Sequence, residues 1–413
     1  MNSPNTSPDP GFDEVCRFIV KLGESAHGYG STAARLEMFL SRLTRAFGME
    51  GVFRSSPTDI VFAFQKSGSQ EQRIHLSDFP GTGLDLAKLA MVGDLVDSVV
   101  ARTVSISEAT TRLDSISKTP PQWGVLASAL GYALCGAGLA VLFSLTWWDV
   151  LFATLLSLVV YGMVWYSGRS GQIWAEWLPL SSAFVAGVLA ATARMWVPEL
   201  NVVMVIVTAI AVLLPGFAIS QGLIELVGKH VTSGLANLMS GIVYLVKQIS
   251  GAWLGVGMMS MLLSVPAATA GTPIDARWLW LFMPLLIIAL CLCFQTSRRD
   301  FFAACVGCAV AYGGVLLGSA ITGSNLGNLI GTIIAVMFAN LWAGKTGRPT
   351  SIVLLPAIIL LVSGSIGFRG LASMATGQTA LGEQQFLQMF IVALTIAAGI
   401  LVGNTLSRPR VTL

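Results

Sequence analysis

The sequence predicts a mainly α-helical integral membrane protein, with ten transmembrane helices arranged as two inverted five-helix repeats behind a small N-terminal α+β domain. Three observations carry that expectation. Of 413 residues, 54% are hydrophobic and 11% are charged, whereas soluble chains are about a quarter charged, so the apolar excess must face lipid. From about Trp123 onward, ten apolar stretches follow one another, most of them near the ~20 residues that cross a bilayer as helix. The first five match the last five at nearly constant offsets. A shift of 151 pairs Phe143 with Phe294, Asp149 with Asp300, Ala153 with Ala304, and Tyr161 and Gly162 with Tyr312 and Gly313. A shift of 148 pairs Leu213, Gly216, Gly222, Gly234 and Gly255 with Leu361, Gly364, Gly370, Gly382 and Gly403.

Residues 1–11 read as a disordered Pro/Ser/Asn tail. This polar start lacks the basic residues and apolar core of a signal peptide, which leaves the N-terminus expected in the cytoplasm. Residues 12–118 carry a normal mixture of charges and read as a cytoplasmic α+β domain. Helical periodicity covers 12–22 and 33–47, with Leu36, Phe39, Leu40, Leu43 and Phe47 on one face. Short alternating runs at 51–54, 59–65 and 72–76 suit a small antiparallel sheet. Two more helices are expected at 85–103 and 107–117. In the second, Ser107 is the expected cap, and Glu108 suits the positive end of the helix dipole. Thr119, Pro120 and Pro121 mark the boundary with the membrane.

The first repeat, 123–264, divides into spans at 123–145, 148–166, 177–196, 201–219 and 234–264. The second, 278–406, divides at 278–295, 301–319, 325–343, 351–363 and 384–406. Counting connections from the soluble domain, one side receives Arg112, Lys118, Arg169, Lys229, Arg298, Arg299, Lys345, Arg348, Arg408 and Arg410. The other receives Arg194, Arg277 and Arg369. Positive charge collects on the cytoplasmic side, so both termini are expected there. Five is odd, so the two repeats must cross in opposite directions. Inverted repeats that rock against each other expose a midplane site to each side in turn, and this points to transport.

Other chemistry is poorly represented. A net charge of +3, spread over short loops, does not make a nucleic-acid surface. The six cysteines fall mostly inside apolar spans, where thiols act as small hydrophobes, and the Cys305/Cys308 pair lacks the second pair of a metal or disulfide framework. His27, His75 and His230 lack metal-ligand spacing, and no phosphate-binding glycine loop occurs. Neither cofactor nor metal is expected, nor is transport powered by ATP within this chain.

Two repeated segments are the best candidates for the site. Leu213, Leu214, Pro215, Gly216 and Phe217 end the fourth span, and Leu361, Val362, Ser363, Gly364 and Ser365 end the ninth. Proline cannot donate a backbone hydrogen bond and glycine loosens a helix, so both segments can unwind near the midplane and free polar backbone for a ligand. A helix N-terminus facing such a break favours a carboxylate; the alternative is an ordinary kink. Ser220, Gln221, Ser363, Ser365 and Arg369 are the nearest side-chain candidates. A charge inside a span costs about 2.5–3.5 kcal/mol on insertion scales, which makes Lys247 a further candidate for binding a carboxylate or for proton coupling; its alternative is snorkelling to the interface. Glu225, Asp149 and Asp300 are the proton-coupling candidates, with a solvated loop as the alternative for Glu225 and a helix-start role for the aspartates. Asn325, Asn328, Asn340, Gln384, Gln385 and Gln388 read as interhelical hydrogen-bonding groups. Replacing Lys247 or Arg369 by alanine is expected to cripple transport without loss of insertion.

The run Leu213, Leu214, Pro215, Gly216, with Gly222 to Leu226 and Thr232 to Ala236, resembles the hallmark stretch of the threonine/serine exporter family. So do Gly23 to Gly30 with Arg35, Leu36 and Glu37, and the second-half run Leu361 to Ser365. The resemblance covers nearly the whole chain and is to the fused form, whose two membrane modules are separate chains in some bacteria. It implies ten transmembrane helices, a cytoplasmic N-terminal domain, a bacterial inner membrane, and proton-driven export of small amino acids. Split relatives are associated with dicarboxylates such as succinate. The chain departs from the family pattern in carrying Asn237 and Ser240 where Arg and Glu are common, and Ser363 where Pro is common; Asn237 joins the substrate-site candidates on that ground. The partners expected are a small amino acid or carboxylate, protons and lipid, with a homo-oligomer left open. A contrasting reading is a membrane-anchored sensor or hydrolase acting through residues 12–118. There Ser31 would be nucleophile, His27 base, and Glu24 or Glu37 orienter, but the run lacks a strained nucleophile turn.

Overall fold

The computed structural model describes residues 11–66, 68–78, 83–267, 269–322, 324–361, 364–375 and 377–407. The expected tail lies, except for Gly11, outside them, and so do Val362, Ser363, Arg408 and Arg410.

The soluble domain packs helices α1 (Phe12–Gly28), α2 (Ala33–Ala46), α3 (Leu86–Val100) and α4 (Ile106–Lys118) with strands β1 (Met49–Ser55), β2 (Asp59–Lys66) and β3 (Gln72–Asp78). The strands form an antiparallel sheet in the order β1-β2-β3. Its inner face carries Phe53, Phe62 and Phe64, each at most 1% exposed, with Phe53 edge-on to the other two. Helix α1 runs six residues past its expected end, through a glycine-containing stretch. Its glycine is needed there, because a β-carbon on Gly23 would lie 2.6 Å from the Phe62 ring. The cap of α4 is Ser105 rather than Ser107: its hydroxyl accepts from the Glu108 amide at 3.3 Å. Ser105 and Glu108 hold the S-x-x-E spacing of a capping box, so the cap lies two residues before the expected Ser107.

Among the described residues, nine helical stretches are long and apolar enough to cross a membrane, or ten when one bent pair is counted as a span. They are built from α5 (Gly124–Leu142), α6 (Trp147–Ser170), α7 (Gln172–Ala193), α8 (Val202–Ala209), α9 (Gly216–Val227), α10 (Val231–Leu262), α11 (Leu279–Cys293), α12 (Phe301–Thr322), α13 (Ser324–Thr346), α14 (Ser351–Leu361), α15 (Gly364–Ala375) and α16 (Thr379–Leu406). The expected fourth span is two helices. After α8 the chain makes a 3-10 turn at Ala211–Leu213, breaks at Leu214 and Pro215, and resumes as α9 at an angle of 62°. Helices α9 and α15 thus occupy what the sequence reading left as connections after the fourth and ninth spans. The expected fifth span, long enough to break, is one continuous helix of 32 residues.

The two membrane halves end and restart their helices alike. Ser144 and Gln295, 151 residues apart, both follow a helix end with φ of +52°. The amides of Phe143, Ser144 and Leu145 bond to the carbonyls of Leu139, Val141 and Ala140, and those of Phe294, Gln295 and Thr296 repeat the pattern on Leu290, Leu292 and Cys291. Thr146 with Asp149, and Ser297 with Asp300, then start the next helix with matching side-chain bonds. At an offset of 148, Lys229 and Gly377 are both left-handed. Gly222 abuts Gly234 and Leu238 as Gly370 abuts Gly382 and Phe386. Small residues at these crossings let backbones touch, the usual device of helix packing in lipid.

The soluble domain docks on one end of the bundle. The first amides of α3, Leu86 and Ala87, donate to the carbonyls of Phe294 (3.1 Å) and Gln295 (2.9 Å). Arg348, 8% exposed, bonds both Asp300 and, at 3.1 Å, Asp94 of α3. His230, between α9 and α10, lies 3.6 Å from Glu37 of α2. The domain therefore holds both membrane halves.

Candidate functional site

The two segments singled out in the sequence meet. A β-carbon on Gly364, the first residue of α15, would stand 3.1 Å from the Cα and N of Gly216, the first residue of α9. The N-terminus of α9, with its unpaired amides and positive dipole end, thus lies against the backbone of the second-half helix at Gly364. Pro215, Gly216, Gly364 and Ser365 line a crevice of about 190 Å³, walled by Cys135 and Leu139 of α5 and by Leu286 and Leu290 of α11. Ser363 lies outside the described residues.

Polar groups beside the break are left over. The carbonyl of Leu213, freed by the interruption, accepts from Gln248 Nε2 at 3.1 Å. Gln248 is fully buried, and among the described residues its Oε1 finds no partner; nor does the hydroxyl of Ser220, 1% exposed. Buried polar groups without partners are uncommon and costly, and they cluster where a ligand or water completes the bonding. Gln248 was not singled out from the sequence. The signal was present: on α10 the buried positions Gly241, Leu245, Gln248, Ala252 and Gly255 recur at helical spacing, so the residue beside Lys247 faces inward.

Lys247 itself does not join the site. It is exposed, and its ammonium reaches the carbonyl of Glu176 at 3.5 Å, near the start of α7.

Glu225, by contrast, is 2% exposed. Gln221 Nε2 donates to one carboxylate oxygen and Asn237 Nδ2 to the other, each at 2.8 Å. It makes no ion pair among the described residues. A solvated-loop position for Glu225 is therefore corrected: α9 continues past the expected span end and carries the carboxylate inside. Its repeat-related group is different. On α15, Arg369 stands at the position of Gln221 and Ser373 at that of Glu225, while Gln385 of α16 stands at that of Asn237, with Ser373 Oγ 3.5 Å from Gln385 Oε1. The Arg369 guanidinium lies 5.1 Å from the centre of the Phe143 ring, and its Nε is buried without a partner among the described residues.

The two aspartates are held at helix starts. Asp149, 1% exposed, accepts from the Thr146 amide and hydroxyl and from the Asn201 amide. Asp300 accepts from Ser297 and pairs with Arg348. Asn340 bonds Asn404 across α13 and α16 at 3.0 Å. Cys305 faces Cys291 on α11 at 3.7 Å, and all six cysteines are free.

In the soluble domain, Ser31 Oγ is buried with no hydrogen-bond partner among the described residues, and His27 Nδ1 sits 3.4 Å from Ser55 Oγ instead. Glu24 accepts from Ser77, and Glu37 accepts from the Ser55 amide and from Arg54. The nucleophile, base and orienter of a hydrolase are not assembled. Burial pushes the His27 imidazole below its usual value, against the opposing pull of backbone bonds to Pro57 and Ser56.

Residues 17–259 match a family model described as a putative threonine/serine exporter, and residues 279–406 match a second described as threonine/serine exporter, ThrE. An uncharacterized protein of Schizosaccharomyces pombe is 23% identical over 94% of this chain and 54% of its own length. The pheromone-regulated membrane protein 10 of Candida albicans is 22% identical over 85% of this chain and 32% of its own, and that of Saccharomyces cerevisiae 22% over 85% and 46%. The chain thus spans a third to about half of these relatives. They are fungal proteins, two of them named as membrane proteins, which supports a multi-pass membrane protein and not a bacterial inner membrane in particular. No solved structure matches the chain.

Proposed function

The chain belongs to the threonine/serine exporter family, and from that premise we propose that it is a secondary active exporter of small amino acids such as threonine and serine, driven by the proton gradient through alternating access. The observation that carries the reading is the meeting of α9 and α15 at Gly216 and Gly364. The N-terminus of α9 there favours a carboxylate, and among the described residues Ser220 and Gln248 leave buried bonding capacity beside it. The repeated caps and crossings at offsets of 151 and 148 support two equivalent halves, and the Lys/Arg distribution supports an inverted pair with both termini in the cytoplasm. A bacterial inner membrane is the proposed location, on the resemblance to a form whose modules are separate chains in some bacteria. Self-association is left to measurement of the solubilised chain's mass.

Asymmetry supports the coupling. The α9 side carries a buried Glu225 bonded, among the described residues, to two neutral amides, and a charge kept inside the membrane part is the candidate for coupling. The α15 side carries Arg369. One cation and one acid favour a zwitterion over succinate, whose second carboxylate would lack a cation. The test is efflux from proteoliposomes preloaded with threonine, serine or succinate under an imposed proton gradient. Gradient-accelerated efflux of threonine or serine is expected; no accelerated efflux of any of the three sinks the proposal, and efflux of succinate alone reverses the substrate assignment.

A further inference from the structure

Gly28, Tyr29 and Gly30, part of the motif noted in the sequence, take no part in the site above. They hold a residue that does. The carbonyls of Gly28 and Tyr29 accept from the amides of Gly83 (3.1 Å) and Asp85 (3.3 Å), on either side of Leu84. Gly30 has φ of +100°, and a β-carbon there would lie 2.6 Å from Leu84 Cδ2 and 3.2 Å from the Gly83 carbonyl, so only glycine leaves the room. Beyond Leu84, Asp85 caps α3 by accepting from the Lys88 amide at 3.0 Å, and the next two amides are bonded to Phe294 and Gln295 of the membrane part. Leu84 is fixed from both sides.

Leu84 lines the crevice described above, with Gly216, Phe217, Phe294 and Gly364. Every other lining residue among those described comes from the membrane part. Resting on the reading of this crevice as the substrate path, we infer that Leu84 is a plug, mounted on the soluble domain by the Gly28–Gly30 turn, which closes the domain-side mouth of the crevice. An apolar stopper suits an apolar mouth, since leaving water there would cost Phe217, Phe294 and Leu290 their buried contacts. The same domain is tied to one half by His230 and Glu37 and to the other by Arg348 and Asp94. A rocking of the halves that opens this mouth must therefore shift the domain and withdraw Leu84.

The test uses the full chain in lipid nanodiscs with Ser365→Cys, following modification of that thiol by a charged thiosulfonate through peptide mass spectrometry. Leu84→Gly and Gly30→Ala should each raise the modification rate by about fivefold or more, and Leu84→Trp should lower it, as expected of a gate over an otherwise formed site. Rates that stay at the parent value in all three variants, with unchanged melting, overturn the plug. If a variant fails to fold, Leu84→Cys paired with Ser365→Cys decides: a short bismaleimide should bridge them, and no bridging overturns the assignment. Neither readout uses transport, so loss of the amino-acid reading and loss of the plug are separately visible.

Discussion

Gly364 lies so close to Gly216 that a β-carbon on it would sit 3.1 Å from that residue's Cα and amide nitrogen. The atoms it would meet are backbone and cannot turn aside, so the helix starts themselves would have to separate. Gly364→Leu should cut efflux at least about tenfold while the protein still inserts, because overpacking of this kind typically costs ~1–3 kcal/mol and not the fold. Efflux and monodispersity of the solubilised protein measure the two effects. Wild-type efflux from this variant would place the substrate path elsewhere.

Arg348 stands between Asp300, whose side chain is 3% exposed, and Asp94, which is 53% exposed. Removing the arginine strands the buried partner. Arg348→Ala should destabilise by about 3–5 kcal/mol, the usual cost of an uncompensated buried charge. Asp94→Asn breaks only the exposed arm and should cost below about 1 kcal/mol. Thermal unfolding of the solubilised full chain orders the two variants, and equal losses would argue against Asp300 as the main partner.

The membrane spans and the break at Pro215 could be read from the sequence because they rest on composition and on Gly and Pro positions, which lipid enforces residue by residue. Helices α9 and α15 could not. Each has only 12 residues, too short for a window tuned to a full crossing, and their polar residues Gln221, Glu225 and Arg369 mimic a connecting loop. Lys247 and Gln248 show the same limit at one position: charge drew attention to the exposed neighbour, while the buried face was set by the phase of α10. The approach of Gly216 to Gly364, and of Leu84 to both, is tertiary and leaves no mark in spacing.

Burial depresses the His27 imidazole from its usual 6.5. The unfolded chain then binds more protons than the folded chain between the lowered value and 6.5, so stability rises with pH across that window. The contribution is complete above about 6.5 and is lost as pH falls below it. Unfolding of the soluble domain, followed in the intact protein, should therefore ease on acidification through this range, and His27→Gln should flatten the slope. An unchanged slope in that variant would assign the effect to other groups.

Arg369 and Lys247 separate two roles that the sequence treated together. Lys247→Met removes an exposed charge whose ammonium bonds the Glu176 carbonyl at 3.5 Å, and efflux should change by less than about twofold, as for exposed substitutions generally. Arg369→Met removes a half-buried guanidinium whose Nε has no partner among the described residues, and efflux should fall about tenfold or more, since charges kept inside spans are functional by default. Equal effects of the two changes would remove Arg369 from the site.

Glu225 gives the sharpest test of coupling, because among the described residues its two carboxylate oxygens are each bonded to an amide donor, Gln221 and Asn237, and to no cation. Glu225→Gln keeps the size but cannot titrate, and one of its oxygens becomes an amide group facing another amide donor. Exchange of threonine across the membrane without a gradient should persist at a reduced rate, whereas acceleration by an imposed proton gradient should vanish. Gradient-driven efflux from Glu225→Gln liposomes equal to that of the parent would show that the proton travels through another group.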